Sequence, residues 1–257
     1  MIRSINNSWS GIAACQRSVD QVAHNLANLN TLAYKRSEMV FGDMLYHELH
    51  QRRFPTSTRQ DLPVGQGVQV LAKAPFLEQG TLVYGERPLD LAIDGEGYFR
   101  LLNADGVELY TRNGSFQLDA AGKLVTSSGD YLDVSFTLEQ GVLDLSISPE
   151  GVAVITGENG KKVELGQIRL YRFANPSGLT ENGAGCYLPS ELSGEPREGL
   201  SGDNGFGRIR QYYLEQSNSE IAAEMVGLLT AHRALQANIR SLLTADELQA
   251  LALQIRL

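Results

Sequence analysis

The 257 residues carry 20% charged and 42% hydrophobic side chains and a formal net charge of −8, a balance that allows a sizeable core and two or more domains. The negative charge excludes a protein that grips nucleic acid through a basic surface; the pairs Lys35-Arg36 and Arg52-Arg53 are too short to reverse it. No apolar run approaches the roughly 20 residues that cross a bilayer, and the opening residues lack the charged-then-apolar order of a cleavable secretory signal.

In chain order, the first element is a helix from about Ser4 to Asn28. Steps of seven from Ile5 reach Ile12, Val19 and Leu26, and steps of seven from Cys15 reach Val22 and Leu29. That is a heptad seam on a helix of about 38 Å. Gly11, Ala13, Ala14, Ala23 and Ala27 beside it permit close approach. The helix runs into a cluster of amides, Asn25, Asn28 and Asn30. Asparagine tolerates left-handed geometry and competes for free backbone groups, so these amides either tie the helix to the extended chain that follows or form a solvated cap. Lys35-Arg36 suits a helix exit, where cations meet the negative end of the dipole.

Residues 46–80, rich in Arg, Thr, Gln and Pro, show no clean period and read as an extended connector. From 81 to 205 the period changes to two. Short alternating runs are separated by turn pairs such as Asn113-Gly114, Ala121-Gly122 and Ser128-Gly129, which predicts an all-β domain of antiparallel strands. The last element is a second long helix, from about Asn218 towards the end. Ser217, Asn218 or Ser219 caps it, and Glu220 and Glu224 favour its positive end. Its seam steps through Ile221, Leu228, Leu235 and Leu242, interleaved with Met225, His232, Ile239 and Asp246. Val226, Leu229, Leu243 and Leu248 add apolar side chains beyond that seam, as expected of a helix that is either central in a bundle or shared between subunits.

A lone amphipathic helix is marginal in water, so the two ends are expected to pair. The predicted fold class is therefore α+β: a mainly antiparallel β domain with the N- and C-terminal helices paired as a coiled coil. The predicted domains are 1–45 together with 206–257, the connector 46–80, and 81–205.

Candidate chemistry is sparse. His47 to His50 ("HELH") lacks the one-turn histidine spacing of a zinc helix and has no third ligand. His232 falls on the apolar seam as a packed imidazole. Asp90, Asp94 and Glu96 sit in or beside a hairpin as solvent-facing strand positions. The glycine-rich "GQGV" and "DGEGYF" open no helix, which argues against a phosphate cradle. Cys15 and Cys186 are far apart, without metal spacing, and read as buried free thiols. The expectation is no catalytic residue, no cofactor and no metal. An enzyme acting on the cell wall would need facing buried carboxylates, and a soluble adaptor would share partly disordered ends with a polymerising protein.

Four blocks in order carry a resemblance. "VAHNLANLNTLAYKRSEMVFGDMLY" resembles N-N-L-A-N-x-x-T-x-G-F-K-R, with His24 at the first Asn and Ala33-Tyr34 where Gly-Phe is usual. "QGTLVYGERPLDLAIDGEGYFRL" resembles Q-G-x-L-x-x-T-x-x-x-x-D-x-A-I-x-G-x-G-F-F, and "YTRNGSFQLDAAGKLVTSSGDYL" resembles Y-T-R-x-G-x-F-x-x-D-x-x-G-x-L-V-T. "LEQSNSEIAAEMVGLLTAHRALQANIRSLLTADEL" resembles L-E-x-S-N-V-x-x-x-x-E-M-V…R-A-Y-x-x-N…T-x-D, with Ser219 for Val and Leu235 for Tyr; Tyr212 stands where Gly is common. Together they resemble the bacterial flagellar rod and hook protein family over nearly the whole chain. The matching motif positions are Asn25, Leu26, Ala27, Asn28, Thr31, Lys35, Arg36, Gln79, Gly80, Asp90, Gly95, Gly97, Ser217, Asn218 and Glu224. Within the family, the length and "HQRRFPTSTRQDLPVGQGVQV" are most like a distal rod subunit; a proximal rod or other hook-basal body protein is the alternative.

The resemblance implies a structural subunit of a helical tube that transmits torque, with terminal helices as an inner coiled-coil layer and the β domain outside. Implied partners are further copies of itself, other rod and hook subunits, surrounding ring proteins and the flagellar type III export apparatus, with no nucleic acid and no small-molecule substrate. The implied location is the basal body, outside the cytoplasmic membrane, reached without a cleaved signal. The expected assembly interface comprises Ile5, Ile12, Val19, Val22, Leu26, Leu29, Ile221, Met225, Leu228, Leu235, Ile239 and Leu242.

Overall fold

The structure is a computed structural model that describes residues 2–44, 47–48, 63–65, 67–138, 145–156, 162–203 and 205–254. It is α+β, with two helices and mostly antiparallel sheets among the described residues. The chain divides into two compact units: residues 1–27, 37–76 and 220–257, and residues 28–36 and 77–219.

The first unit holds α1 (Ile2–Ala27), α2 (Ile221–Gln254) and an antiparallel ribbon of Ser37–Asp43 with Val68–Pro75. The two helices pack against each other and run in opposite directions: Val22 lies beside Gly227 near the start of α2, and Gly11 lies beside Asn238 further along. A Cβ added at Gly11 would meet the Asn238 side chain at 3.2 Å, so a larger residue there would push the helices apart. The Asn238 amide also donates to Cys15 Sγ at 3.5 Å. Small residues on α1 thus let the neighbouring helix come close, as ridges meeting shallow grooves.

Two sequence expectations change here. Val68–Pro75, inside the supposed connector, is a strand registered against Ser37–Asp43, with an irregularity between Val40 and Phe41. Val68, Val70, Ala72 and Ala74 alternate with Gln69, Leu71 and Lys73, a short two-residue period inside a stretch whose Arg, Thr, Gln and Pro otherwise hide it. The second correction concerns the start of α2. Its first intrahelical bond runs from Glu224 N–H to Glu220 C=O, and Ser217 Oγ accepts from Ser219 N–H in the turn before it. Asn218 spends its amide elsewhere. Of the "HELH" run, His47–Glu48 forms a short bridge with Pro63–Val64; residues 49 and 50, like most of the connector from 49 to 62, lie outside the described residues.

The second unit is β throughout, apart from a 3-10 turn at Pro176–Gly178. Its largest sheet has the order Thr180–Gly183, Cys186–Leu188, Glu108–Thr111, Phe99–Leu102, Tyr131–Leu132, Leu124–Val125 and Gln117–Leu118. Strands Leu145–Ile147, Val152–Thr156 and Lys162–Gln167 form a second sheet, and three strand pairs complete the unit: Arg169–Arg172 with Arg197–Leu200, Leu91–Asp94 with Arg208–Gln211, and Leu82–Tyr84 with Tyr213–Glu215. Alternate residues point inward to a core that includes Leu91, Ile93, Phe99, Leu101, Phe116, Ile168, Leu170 and Ile209. A satellite cluster of Tyr98, Tyr110, Tyr171, Phe173 and Tyr187 packs edge to face, with Tyr110 and Phe173 centroids 4.9 Å apart. Burial and the Asp130 carboxylate push the Cys186 thiol up to about 11.

Of the expected turn glycines, Gly122 and Gly129 adopt φ of +76° and +90°. Gly114 is needed for a different reason: Leu91 N–H donates to the Gly114 carbonyl at 3.0 Å, and at that approach any Cβ on Gly114 would overlap the Leu91 carbonyl oxygen. Substituting Gly114→Ala is expected to destabilise the β unit by about 2–3 kcal/mol, read as a lower urea midpoint with unchanged slope.

Candidate assembly site

Within the helical unit, Leu228, Ala231, Leu235, Asn238, Leu242, Ala245 and Gln249 of α2 are half-buried in series, with Glu224 buried at the head of it and Gly227 half-buried beside Leu228. The spacing alternates three and four, which puts these positions on one face of the helix. Leu228, Leu235 and Leu242 fall on it; the interleaved positions are Ala231, Asn238 and Ala245, rather than Met225, His232, Ile239 and Asp246. The reason is the facing helix. Where α1 offers Gly11 and Cys15, a long apolar side chain has no room, and Asn238 takes the place. Ile221 and Met225 are more than half exposed and Ile239 is also exposed. On α1, Ile5, Ile12, Val19, Val22 and Leu26 are half-buried within the helical unit. Leu29, also half-buried, belongs to the other unit.

A buried polar node closes one end of this helix pair. Asn25 accepts from Ser37 N–H at 3.2 Å and donates to Ser37 C=O at 3.0 Å and to Glu224 Oε2 at 3.2 Å. Gln21 Nε2 donates to Asn25 Oδ1 at 3.2 Å and to Ser37 Oγ at 2.6 Å. One side chain thereby joins the last turn of α1, the first residue of the ribbon and the first turn of α2. Of the other motif residues, Asn28 accepts from Thr31 N–H and Oγ1 at 3.1 Å, while Ala27 and Asn30 are exposed.

The β unit contains the second node, where most of the remaining motif residues meet. Glu215 is completely buried, and its carboxylate is shared by Lys35 and Arg112, whose side chains are 1% and 7% exposed. Arg112 Nε donates to Glu215 Oε2 at 2.8 Å, and Lys35 Nζ and the Gly80 N–H, the latter at 3.0 Å, donate to Oε1. The surplus positive charge is absorbed by carbonyls: Lys35 reaches Glu78 C=O at 2.7 Å, and Arg112 reaches those of Gly97 at 3.1 Å and Gly95 at 2.9 Å. Gln79 braces the same loop, donating to Ile93 C=O at 2.8 Å and accepting from Gly95 N–H at 3.0 Å. Asn218 accepts from Arg36 N–H at 2.7 Å and donates to Glu78 C=O at 3.1 Å. Gly80 must lack a side chain, since a Cβ there would overlap the Gln216 carbonyl oxygen.

Burial alone would push the Glu215 carboxyl up; the Arg112 guanidinium and Lys35 ammonium, with their hydrogen bonds, outweigh it and hold the carboxyl below the usual carboxylate range. Each cation receives only a share of that one carboxylate. Burial, joined by repulsion from Arg112, therefore lowers the Lys35 pKa despite the attraction of Glu215. Arg112 and Glu215 were not singled out as site residues from sequence. The available signal was a lone charge inside each of two apolar strand-like runs, "LYTR" and "YYLE", where an unpaired charge would be expensive.

Two backbone strains flank the knot. Ala33 and Tyr212, both standing where the resemblance expects Gly, have φ of 55° and 64°. Ala33 N–H donates to Glu215 C=O at 2.8 Å, so its left-handed turn brings Lys35 inward. Tyr212 lies between the strand paired to Leu91–Asp94 and the strand paired to Leu82–Tyr84, and its ring stacks on Tyr84 with centroids 6.1 Å apart. Asp90, also a motif residue, does not face solvent as its place beside a hairpin suggested: it is buried and pairs with Arg87 at 2.8 Å. Ser217 is half-buried. No cluster of three or more metal-ligating side chains occurs among the described residues.

Comparison with known proteins bears on this arrangement. Two family models match: flagellar hook protein FlgE/F/G D1 domain at residues 92–155, and flagellar basal body rod FlgEFG protein C-terminal at residues 210–255. The flagellar basal-body rod protein FlgG of Borreliella burgdorferi is 36% identical over 98% of this chain and 98% of its own length. That of Caulobacter vibrioides is 33% identical over 99% of this chain and 100% of its own, and that of Bacillus subtilis 32% identical over 96% and 97%.

Glu215→Gln is expected to cost the β unit about 3–5 kcal/mol at pH 7, because two buried cations lose their counter-charge. The folded-state pKa of Glu215 lies below the ordinary 4.5, so its contribution is present above that value and is lost as pH falls through the folded pKa. Urea melts followed through the tyrosine cluster should therefore show the gap between wild type and variant closing below pH 4.5.

Proposed function

Because the chain belongs to the flagellar basal-body rod protein family, and is a structural rod subunit rather than an enzyme, we propose that it builds the distal rod as a helical tube lined by its paired terminal helices. The helical unit is the polymerisation domain, and α1 and α2 form its coiled-coil layer. Copies of the chain are the principal partners, with other rod and hook subunits at the ends and ring proteins around the tube. Export through the flagellar type III apparatus delivers it outside the cytoplasmic membrane.

One observation carries this reading. With α1 and α2 packed together, α2 still exposes Ile221, Met225, Val226, Leu229, Leu243, Leu248 and Leu251, each more than half accessible. So many large apolar side chains left exposed on one helix, at both of its ends, mark a surface that another polypeptide covers. No helix among the described residues is long and apolar enough to cross a membrane. Burial of such side chains is worth about 25 cal/mol per Å² at each repeat, and a contact between unlike surfaces that does not close on itself generates a filament. Torque transmission then follows mechanically: each bending mode of the tube is opposed by repeated, well-packed contacts.

The test uses purified full-length protein under polymerising conditions, followed by sedimentation and electron microscopy. Wild type is expected to form tubes. Leu228→Asp and Leu242→Asp, which place a carboxylate in the α1–α2 seam, should abolish tubes while leaving the tyrosine near-ultraviolet signal of the β unit unchanged. Normal tubes from either variant would show that the helix pair is not what assembles.

A further inference from the structure

The exposed residues of the two helices fall into matching patterns. On α2, one exposed line runs Met225, Leu229, His232, Gln236, Ile239 and Leu243: apolar, then a polar pair, then apolar. Gln236 Nε2 and His232 Nε2 lie 2.9 Å apart, so the polar pair is joined within the helix. On α1, the exposed line runs Trp9, Ala13, Gln16, Asp20, Ala23 and Ala27. It too has a central polar pair flanked by apolar ends, at the same alternating steps of three and four. Large side chains occupy the α2 line and small ones the α1 line, apart from Trp9 at its end, which is 69% exposed.

We infer that the exposed apolar line of α2 docks, antiparallel, on the Trp9–Ala27 face of α1 in a second copy of this chain. The inference rests on the polymerisation reading above and specifies its contact. Setting Asp20 opposite His232 places Gln16 opposite Gln236, Ala23 opposite Leu229, Ala13 opposite Ile239 and Trp9 opposite Leu243. Every large aliphatic side chain then meets an alanine or the Trp9 ring, and the one carboxylate in the α1 line meets the one imidazole in the α2 line. The same pairing cannot form inside one chain, because α1 turns Gly11, Cys15 and Val22 towards its own α2, and the Trp9 line lies on the other side of the helix. A second copy is the fitting occupant for three reasons: the two lines are complementary in size, the Asp20 carboxylate can accept from the His232 ring N–H, and both lines are present on every molecule. Docking α2 on α2 by a two-fold would bring large residues against large and histidine near histidine, and would close as a dimer; unlike faces leave a free surface at each end and continue.

The test combines charge exchange with cross-linking in the full chain. Asp20→Arg or His232→Glu alone should raise the critical concentration for assembly about tenfold, and the double exchange should return it to within about twofold of wild type. In a Cys15→Ala background, chains carrying Ala23→Cys are mixed with chains carrying Leu229→Cys and oxidised. Disulfide-linked dimers containing one chain of each type, enriched in assembled material, are the expected result. Tubes that form with cross-links only between two Leu229→Cys chains, or with no recovery in the double exchange, overturn this pairing and leave the polymerisation reading standing. Tubes indifferent to all these substitutions assign the α2 line to a different partner and also overturn it. A wild-type chain that stays monomeric at every concentration removes both readings.

Discussion

Glu215 is a single carboxylate serving two cations in a place water does not reach, and the β unit is arranged around making that tolerable. Three buried charges are a liability unless every donor and acceptor finds a partner. Lys35 arrives from the segment before the ribbon, Arg112 from a strand of the large sheet, and Gly80 presents a bare N–H. The carbonyls at Glu78, Gly95 and Gly97 take the remaining donors. A hydrophobic substitute of equal volume could give similar stability, but it would not specify which strand lies beside which segment. The knot is a specificity device as much as a stabilising one, and the left-handed turn at Ala33 is part of what aims Lys35 into it.

The helical unit solves the same problem with amides. Leucines spaced along a seam attract any other leucine seam and leave the register loose. Asn25, meeting Ser37 and Glu224 at one end, and Asn238, fitted against Gly11 further along, are satisfied at one register only. Polar residues at seam positions restrict alternatives in this way at some loss of strength. The asparagines that interrupt the helical pattern early in the sequence therefore do different jobs: Asn25 is a junction of three elements, Asn28 closes a local turn with Thr31, and Asn30 is solvated.

The two long helices and the antiparallel middle were legible because each carries a repeated signal, at seven residues or at two. The inward face of α2 was not. The helix is apolar almost all round, so periodicity cannot separate the side that meets α1 from the side that remains uncovered; the small and amide residues at Ala231, Asn238 and Ala245, which do face inward, score as polar or neutral. The strand Val68–Pro75 alternates over only a few residues at the end of an irregular stretch, and its pairing with Ser37–Asp43 is not signalled by any turn between them. The knot was half legible. Lys35, Gln79 and Gly80 stood out through the resemblance, whereas Arg112 and Glu215, 103 positions apart, acquire meaning only once the fold joins them.

The state of the Cys186 thiol has a bearing on durability. With its pKa near 11, only about one molecule in ten thousand carries the reactive thiolate at neutral pH, and burial keeps oxidants away from that fraction. Cys15 sits half-buried in the cleft between helices with its sulfur engaged by Asn238. Thiol–disulfide exchange at Cys186 is thereby suppressed twice over, by burial and by the scarcity of its thiolate.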